Sequence, residues 1–271
     1  MYFAKGHGTG NDFVVLPDPD GGIELTPQLV STLCARHFGI GADGVLRVVR
    51  SAKHPDAARY AGDAEWFMDY HNADGSVAEM CGNGVRVFAR YLTSYGLVHA
   101  TRFPIATRAG LVTVDVAANE VSAEMTRPVV GGASAARLGE REYPGTTADV
   151  GNPHLVCPVD DVSTVDLSEP PILDATVFPE SANVEFIAGA EPVAGADLHV
   201  RMRVYERGSA ETLSCGTGAC AVAAVALGTA GLDTGTVAVD LPGGRLTIAI
   251  DRDRCVLTGP ALIVATGDVL V

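Results

Sequence analysis

Short apolar runs alternate with polar turns along the first half of the chain and predict several strands around one long helix. Residues 2–16 combine an apolar start, a glycine-rich turn and a second apolar run, which predicts a strand, a loop and a strand. Thr26-Pro27 and the periodic stretch that ends at Gly39 predict a helix over 26–38. Further predicted elements are strands at 44–49, 66–70, 111–116 and 121–125, and a helix over 84–95 with Val85, Phe88, Ala89 and Leu92 on one stripe.

The second half repeats this order of elements. Its predicted elements are a loop and strand at 150–156, strands at 183–187 and 198–204, an alanine-rich helix over 218–228, and strands at 236–240, 246–250, 256–257 and 262–265. The Gly-, Ala- and Pro-rich zone from Pro128 to Pro144 is the predicted linker. One long helix among short strands in each half predicts an α+β (mixed α/β) protein, with each domain a sheet wrapped around a central helix.

Matching phrases in the two halves strengthen the inference of two related domains. Met80-Cys81-Gly82-Asn83-Gly84-Val85-Arg86 and Ser214-Cys215-Gly216-Thr217-Gly218-Ala219-Cys220 each stand before a small-residue apolar run. Asn11 follows a glycine 70 residues before Cys81, and Asn152 follows a glycine 63 residues before Cys215. Two copies at such long spacing indicate related domains rather than a solenoid.

Composition narrows the classes of partner. The 271 residues include 19 basic and 33 acidic side chains, for a formal net charge of −14, which argues against a nucleic-acid or anionic-membrane surface. No stretch approaches 18 uncharged apolar residues and nothing at the start marks export, so we expect a cytoplasmic protein. Six cysteines without a Cys-x-x-Cys pair favour reduced thiols, and Cys34, Cys157, Cys220 and Cys255 are predicted to be packing residues.

The paired cysteines suggest proton-transfer chemistry. The dipole and free N–H groups at a helix N-terminus favour a thiolate and also bind a carboxylate. If the two halves faced one another across a cleft, Cys81 could remove an α-proton while Cys215 returned a proton on the opposite face, or the reverse. Such inversion of a stereocentre needs no metal and no cofactor when helix dipoles and hydrogen bonds stabilise the carbanion. Neither glycine pattern matches a nucleotide-binding fingerprint.

These phrases resemble the diaminopimelate epimerase family over essentially the whole chain. The matching motifs are His7 to Phe13, Asn72 to Ser76, Met80 to Arg86, Gly151 to His154, Tyr205 to Gly208, Cys215 to Gly218 and Leu241 to Gly244. The resemblance implies interconversion of L,L- and meso-diaminopimelate in lysine and peptidoglycan precursor biosynthesis, without pyridoxal phosphate or metal. It also implies two pseudo-symmetric halves, 1–124 completed by a strand at 260–271 and 125–259, with the active site in the cleft between them.

The resemblance also implies roles for individual residues. Cys81 and Cys215 would be the catalytic acid and base, and Gly82, Asn83, Gly216 and Thr217 would bind the reacting carboxylate. Glu206 would meet the reacting ammonium and, with His154, adjust the thiol pKa values. The distal head of the substrate would be bound by Asn11, Asn72, Asn152, Asn183 and Arg207. Diaminopimelate is therefore the expected partner, and we expect no binding to nucleic acid or to a membrane. The expected assembly is a homodimer.

Two positions depart from the family pattern. Gly44 follows Asp43 where many members have Gln, so a side-chain contact at that position is absent or replaced. The Ala-rich, charged stretch from Ser51 to Asp63 reads as an inserted surface loop. Glu206 and Arg207 are adjacent and would face opposite sides of a strand, unless the chain leaves the strand near Gly208.

Three other functions remain open at this stage. A proline or hydroxyproline racemase shares the paired thiols but needs a small apolar pocket, against which Asn72, Asn183 and Arg207 argue. A thiol hydrolase or acyltransferase would use one cysteine with His154 as base, so the other cysteine would be dispensable. A thiol–disulfide switch would pair Cys81 with Cys215 without any isomerisation. The phenazine-pathway isomerases share the scaffold but not the two cysteines.

Overall fold

The structure, a computed structural model, describes residues 1–270 and divides them into two compact units. The N-terminal unit comprises residues 1–123 and the C-terminal stretch from residue 259, and the C-terminal unit comprises residues 124–258. No helix among residues 1–270 is long and apolar enough to cross a membrane.

The N-terminal unit contains eight strands and two helices. They are β1 (Tyr2–Gly8), β2 (Asn11–Pro17), α1 (Pro27–Cys34), β3 (Gly44–Arg50), β4 (Trp66–Asn72), α2 (Gly82–Ser94), β5 (Arg102–Thr107), β6 (Gly110–Val116), β7 (Glu120–Met125) and β18 (Leu262–Asp268). The last two residues of β7 belong to the second unit.

The C-terminal unit contains ten strands and one helix. They are β8 (Val129–Leu138), β9 (Arg141–Asp149), β10 (Pro153–Pro158), β11 (Ile172–Leu173), β12 (Asn183–Gly189), β13 (Leu198–Glu206), β14 (Ala210–Thr212), α3 (Gly216–Thr229), β15 (Gly235–Leu241), β16 (Gly244–Ile250) and β17 (Cys255–Pro260). β11 and β14 are short additions beside β8 and β13.

The two sheets have the same pattern of pairing. The first runs β18-β1-β2-β3-β4-β5-β6-β7, and the second runs β8-β9-β10-β12-β13-β15-β16-β17. In both, the third and fifth pairings are parallel and the other five are antiparallel. α2 follows β4, and α3 follows β13, the equivalent strand. The predicted α+β class with two related halves is therefore confirmed.

Each long helix packs against several strands of its own sheet. α2 contacts β1, β2, β6 and β18, and α3 contacts β10, β12, β15 and β16. The small residues of α3 explain how it is enclosed, because Ala219, Ala221 and Ala223 are fully buried and leave room for strands on several sides. The prediction of a sheet wrapped around a central helix is confirmed in each unit.

Two local predictions were wrong. α1 begins as predicted, with Thr26 capping the N–H of Leu29, but ends at Cys34 instead of Phe38 because Ala35 is extended. The zone from Pro128 to Pro144 is not a linker, since most of it forms the β8–β9 hairpin of the C-terminal unit.

The stretch from Ser51 to Asp63 is mostly exposed, as predicted for a surface loop, but it has internal structure. It forms two short 3₁₀ turns, and Ala57 is buried against Phe67 in a small apolar cluster. The charged, Ala-rich composition of the stretch gave no sign that one of its alanines is buried.

Candidate active site

Cys81 is the N-cap of α2. Its backbone is extended, with φ −143° and ψ 121°, and its Sγ accepts a hydrogen bond from the N–H of Gly84 at 3.4 Å. Sγ also lies 3.6 Å from Oδ1 of Asn11, to which a thiol can donate. The thiol is half-buried, and Gly82 is the first residue of the helix. Cysteine thus occupies the position where Ser or Asp usually caps a helix.

Cys215 is the N-cap of α3 in the same geometry. Its φ is −121° and its ψ is 116°, and Sγ accepts from the N–H of Gly218 at 3.3 Å. The hydroxyl of Thr217 lies 3.5 Å from Sγ. Unlike Cys81, this side chain is buried, and burial together with Glu206 and Glu185 raises the pKa of Cys215 well above its usual value. The thiol form is therefore strongly favoured over the thiolate.

Glu206 lies at the end of β13, near Cys215. Burial raises the pKa of Glu206, and hydrogen bonds from Thr212 and Cys215 oppose that rise. A carboxyl group that accepts from the thiol and has a raised pKa is suited to exchange a proton with it. Arg207 follows the last residue of the strand, and Gly208 has φ +82°. The chain therefore leaves the strand near Gly208, which is the condition set above for Glu206 and Arg207 not to face opposite sides of a strand.

His154 is fully buried on β10 and bonded through both ring nitrogens. Nδ1 lies 2.7 Å from Oε1 of Glu185, and Nε2 lies 3.1 Å from Oδ1 of Asn152. Parallel pairing of β10 with β12 brings His154 and Glu185 together although 31 residues separate them in sequence. Asn152 and His154, both predicted site residues, are thus in direct contact.

Sequence reasoning missed Glu185. It is a fully buried carboxylate in a strand whose neighbours Val184 and Phe186 pack into the apolar core of the unit. The sequence did offer one signal, a single charged residue inside the predicted strand 183–187, because a buried charge needs a polar partner from a neighbouring element.

A polar network surrounds Asn11 in the N-terminal unit. Oδ1 of Asn11 accepts from Nδ2 of Asn83 at 3.3 Å, and its Nδ2 donates to Asp43 at 2.7 Å. Oδ1 of Asn83 in turn accepts from the buried Arg86 at 3.0 Å. Asn11, Cys81 and Asn83, three predicted site residues, are therefore brought together, with Arg86 as the cation beneath them.

The remaining predicted residues have polar partners of their own. Asn72 donates through Nδ2 to Ser76 Oγ at 3.0 Å, and the buried Asn183 accepts at Oδ1 from the backbone N–H of Arg207 at 2.9 Å. The exposed guanidinium of Arg207 donates to the carbonyl oxygen of Glu180 at 3.2 Å. A guanidinium with this much solvent exposure retains donors for an incoming carboxylate.

Gly44, the departure from the family pattern, has no room for a side chain. A Cβ there would stand 2.6 Å from the carbonyl oxygen of His71 and 2.7 Å from the ring of Tyr70. The Tyr70 ring thus fills the space beside Gly44.

The other four cysteines are buried and are not joined in disulfides. Burial raises the pKa of Cys34 to about 11 and that of Cys157 to about 12, as expected for packing residues. Within residues 1–270, no group of three or more His, Cys, Asp or Glu side chains is arranged to hold a metal ion.

Comparison with known proteins places the chain in one family. The family model described as diaminopimelate epimerase matches residues 3–130 and 146–264. A diaminopimelate epimerase of Streptomyces coelicolor is 51% identical over 277 residues, which cover 98% of this chain and 94% of that protein. A diaminopimelate epimerase of Thermobifida fusca is also 51% identical, with coverage of 99% and 98%.

A solved structure supports the fold. The phenazine biosynthesis protein of the PhzF family from Bacillus anthracis is similar with a TM-score of 0.74 at 17% identity, over 100% of this chain and 99% of that one. At this identity the likeness concerns the fold alone. Taken with the full-length sequence matches and the repeated helix-capping thiols, it leads to one assignment: the chain belongs to the diaminopimelate epimerase family of isomerases.

Proposed function

We propose that this protein interconverts L,L- and meso-diaminopimelate with Cys81 and Cys215 as the two proton-transfer groups. The observation that carries the proposal is the duplicated cap: each cysteine is the N-cap of a helix, and each Sγ accepts the N–H of the third residue after it. Membership of the family and the names of its relatives support the choice of substrate.

The proposed reaction moves two protons. In one direction, the thiolate of Cys81 takes the α-hydrogen as H⁺, and the electron pair of the C–H bond remains on the substrate carbon. The thiol of Cys215 then delivers its proton to the opposite face of that carbon, which inverts the centre. The cycle ends with Cys81 protonated and Cys215 as thiolate, and the reverse reaction starts from that state.

The developing negative charge needs stabilisation during this step. The first N–H groups of a helix have no intrahelical partner and carry the positive end of the dipole. Gly82 and Asn83 at α2, and Gly216 and Thr217 at α3, are the residues we propose for the α-carboxylate. Preorganised donors of this kind are typically the largest contribution to stabilising such a transition state.

Groups beside Cys215 complete the proposed chemistry. Glu206 would accept hydrogen bonds from the reacting ammonium group and exchange a proton with Cys215, since its pKa is raised by burial. Asn11, Asn72, Asn152 and Asn183 would contact the distal amino-acid head, and the guanidinium of Arg207 would bind its carboxylate.

We further propose a cytoplasmic enzyme that acts as a homodimer. The net charge of −14 suits a protein that does not bind nucleic acid. Sedimentation at several protein concentrations tests the assembly, and a monomer at micromolar concentration would contradict it.

Proton NMR of L,L-diaminopimelate in D₂O with the reduced protein tests the main proposal. In a two-base reaction the early meso product carries deuterium at the inverted centre, while the remaining L,L substrate keeps its α-hydrogen. Protein alkylated with iodoacetamide is the control and should give no meso product and no deuterium incorporation. Equal exchange into substrate and product would indicate a single base. No conversion by folded, reduced protein would reject the substrate.

A further inference from the structure

The two helix caps differ in the side chains that lie behind them. In the N-terminal unit, the β2–β3 register pairs Phe13 with Gly44 and Val15 with Leu46, so Phe13 and Leu46 stand as His154 and Glu185 do on β10 and β12. All four side chains are fully buried. A Cβ on Gly84 would meet Leu46 and Phe13 at 3.3 and 3.5 Å, whereas one on Gly218 would meet Glu185 at 2.6 Å.

The His154–Glu185 contact requires a shared proton. At 2.7 Å, Nδ1 and Oε1 would otherwise direct lone pairs at each other. Nε2 faces the amide oxygen of Asn152, an acceptor, so Nε2 carries a hydrogen as well. The pair is therefore either an imidazolium with a carboxylate or a neutral imidazole with a carboxylic acid, and in both forms it has no net charge. This matters because an unpaired buried carboxylate would be very costly.

The carboxyl end of this pair is the end beside the thiol. Oε1 of Glu185 and Sγ of Cys215 lie 2.6 and 3.2 Å from the point where a Cβ on Gly218 would stand. Oε2 of Glu185 is buried without a hydrogen-bond partner within residues 1–270. The absence of a side chain on Gly218 is what allows the carboxyl group to approach the cap.

We propose that Glu185 is a positioning residue for Cys215: sharing a proton with His154, it holds a carboxyl group behind the cap of α3 and keeps the Cys215 thiol protonated between turnovers. Cys215 is then the proton donor of the resting enzyme and Cys81 the base. This assignment of starting roles rests on the proposed function, but the protonation of Cys215 itself does not.

The groups that face Cys215 make the assignment specific. Glu206 on β13 and Glu185 on β12 both disfavour the thiolate, and His154 on β10 is bonded to the far side of Glu185. The hydroxyl of Thr217 and the N–H of Gly218 oppose them. Of the two carboxyl groups, Glu206 is hydrogen-bonded to the thiol. Glu185 acts on Cys215 only through its charge, without a hydrogen bond to the thiol.

Alkylation by iodoacetamide as a function of pH measures the Cys215 thiolate without any substrate. The experiment uses the full chain with Cys81→Ala, with and without Glu185→Gln, and quantifies the Cys215 peptide by mass spectrometry. We expect Glu185→Gln to raise the alkylation rate at pH 8 about threefold to tenfold and to lower the midpoint pH, because the carboxyl oxygen beside the thiol is replaced by a neutral amide. Exposed Glu142→Gln is the matched control and should change neither quantity.

The same substitution must leave Cys81 alone. In a Cys215→Ala background, the alkylation profile of Cys81 should not change with Glu185→Gln. The fully buried Cys220 reports on folding and should remain unmodified. An unchanged Cys215 profile in protein with protected Cys220 would overturn the proposal.

A measurement on the unsubstituted protein keeps the test decisive if Glu185→Gln does not fold. With ¹⁵N-labelled histidine, His154 should show a hydrogen on Nε2 at pH 7, and its Nδ1 should either carry a hydrogen or accept one from the Glu185 carboxyl group. A ¹⁵N shift showing that Nδ1 neither carries a hydrogen nor accepts a hydrogen bond would mean that no proton is shared and would reject the pair.

Kinetics separate this inference from the proposed function. For diaminopimelate epimerisation, Glu185→Gln should lower kcat about tenfold with KM within about twofold, and the alkaline limb of kcat/KM should move to lower pH with the alkylation midpoint. An altered Cys215 profile in a protein that does not epimerise diaminopimelate would reject the substrate and leave the role of Glu185 intact.

Discussion

The caps of α2 and α3 are two copies of one backbone arrangement with different chemistry behind them. Both begin with an extended cysteine whose sulfur accepts the N–H of a glycine three residues later. Behind Cys81 lie Phe13 and Leu46, whereas His154 and Glu185 lie behind Cys215. The comparison indicates that the duplicated fold provides the geometry of the site, while substitutions at two buried positions make the two thiols unequal.

Unequal thiols would suit the proposed reaction, which needs one acid and one base. Two identical thiols in identical surroundings would share one proton equally, and half of the molecules would be in the wrong state for a given epimer. The buried Cys215, with two carboxyl groups nearby, favours the protonated form. Sγ of Cys81 lies against the amide oxygen of Asn11 and the backbone N–H of Gly84.

The largest expected effect comes from removing either thiol. Cys81→Ala and Cys215→Ala should each lower kcat for epimerisation about a thousandfold, because general acid and general base catalysis each contribute about 10²–10⁴. The assay is the chiral separation of L,L and meso products. Cys220→Ala removes a buried thiol next to the second cap and should stay within about threefold of the unsubstituted protein. Full activity in one of the first two variants would favour the thiol hydrolase or acyltransferase.

Exchanging the buried pairs between the caps should have opposite effects on stability. His154→Phe with Glu185→Leu replaces a buried ionisable pair by apolar groups, which is typically neutral or stabilising by about 1–4 kcal/mol. Phe13→His with Leu46→Glu introduces charge into an apolar site and should cost about 3 kcal/mol or more. Urea denaturation measures both.

Activity provides the control for that exchange. The apolar replacement behind Cys215 should lower kcat even where the free energy of unfolding is unchanged or higher. Loss of stability and activity in equal measure would show that His154 and Glu185 only support the fold.

Much of the fold could be predicted from the sequence because the signals are local. Strand β12 and both long helices follow from apolar periodicity, and the two thiols follow from the repeated Cys-Gly-x-Gly phrase. α2 and α3 begin two residues earlier than predicted because their first turns are glycine-rich and have low helix propensity, which the cysteine cap offsets.

The parts that could not be predicted depend on tertiary pairing or break a local rule. Strand β5 was missed because Pro104 interrupts its apolar run, and the β8–β9 hairpin because its Gly and Ala content resembles a linker. Glu185 was missed because only the register of β10 against β12 reveals its partner. The contact of Gly218 with that carboxyl group is equally invisible in the sequence.

Replacing the glycine at the third helical position by alanine should affect stability differently at the two caps, and by less than the exchange of the buried pairs. At Gly84 a Cβ would have its nearest neighbours at 3.3 Å, so the gain in helix propensity of about 0.5–1 kcal/mol should roughly offset the crowding. At Gly218 the Cβ would stand 2.6 Å from Glu185, and Gly218→Ala should cost about 1–2 kcal/mol.

A double-mutant cycle sharpens this comparison. Glu185→Asp shortens the side chain and should recover part of the cost of Gly218→Ala, because the two residues share one space. Unfolding in urea gives all four free energies, and strict additivity would contradict the contact.

The smallest expected difference lies in the turns that precede the caps. Asp12 accepts hydrogen bonds from Lys5 at 2.7 Å and Arg36 at 2.9 Å, whereas Pro153 at the corresponding place in the second unit has no carboxylate. Although burial opposes it, hydrogen bonding to Arg36 and Lys5 lowers the pKa of Asp12 from 3.8 to about 2. Asp12→Asn should therefore cost about 1 kcal/mol at pH 7, a value reduced by the exposure of Arg36.

The sign of the pH dependence follows from the depressed pKa. Ionised Asp12 stabilises the folded state fully above the unfolded value of about 4, and this contribution is lost as the pH falls towards 2. The difference in unfolding free energy between Asp12→Asn and the unsubstituted protein should thus shrink between pH 5 and pH 2.5. Exposed Asp20→Asn, matched in chemistry, should cost little at either pH. A penalty for Asp12→Asn that grew on acidification would mean that the carboxylate is not held by these cations. The feature common to the two turns would then be only a glycine with positive φ, Gly10 at +82° and Gly151 at +93°.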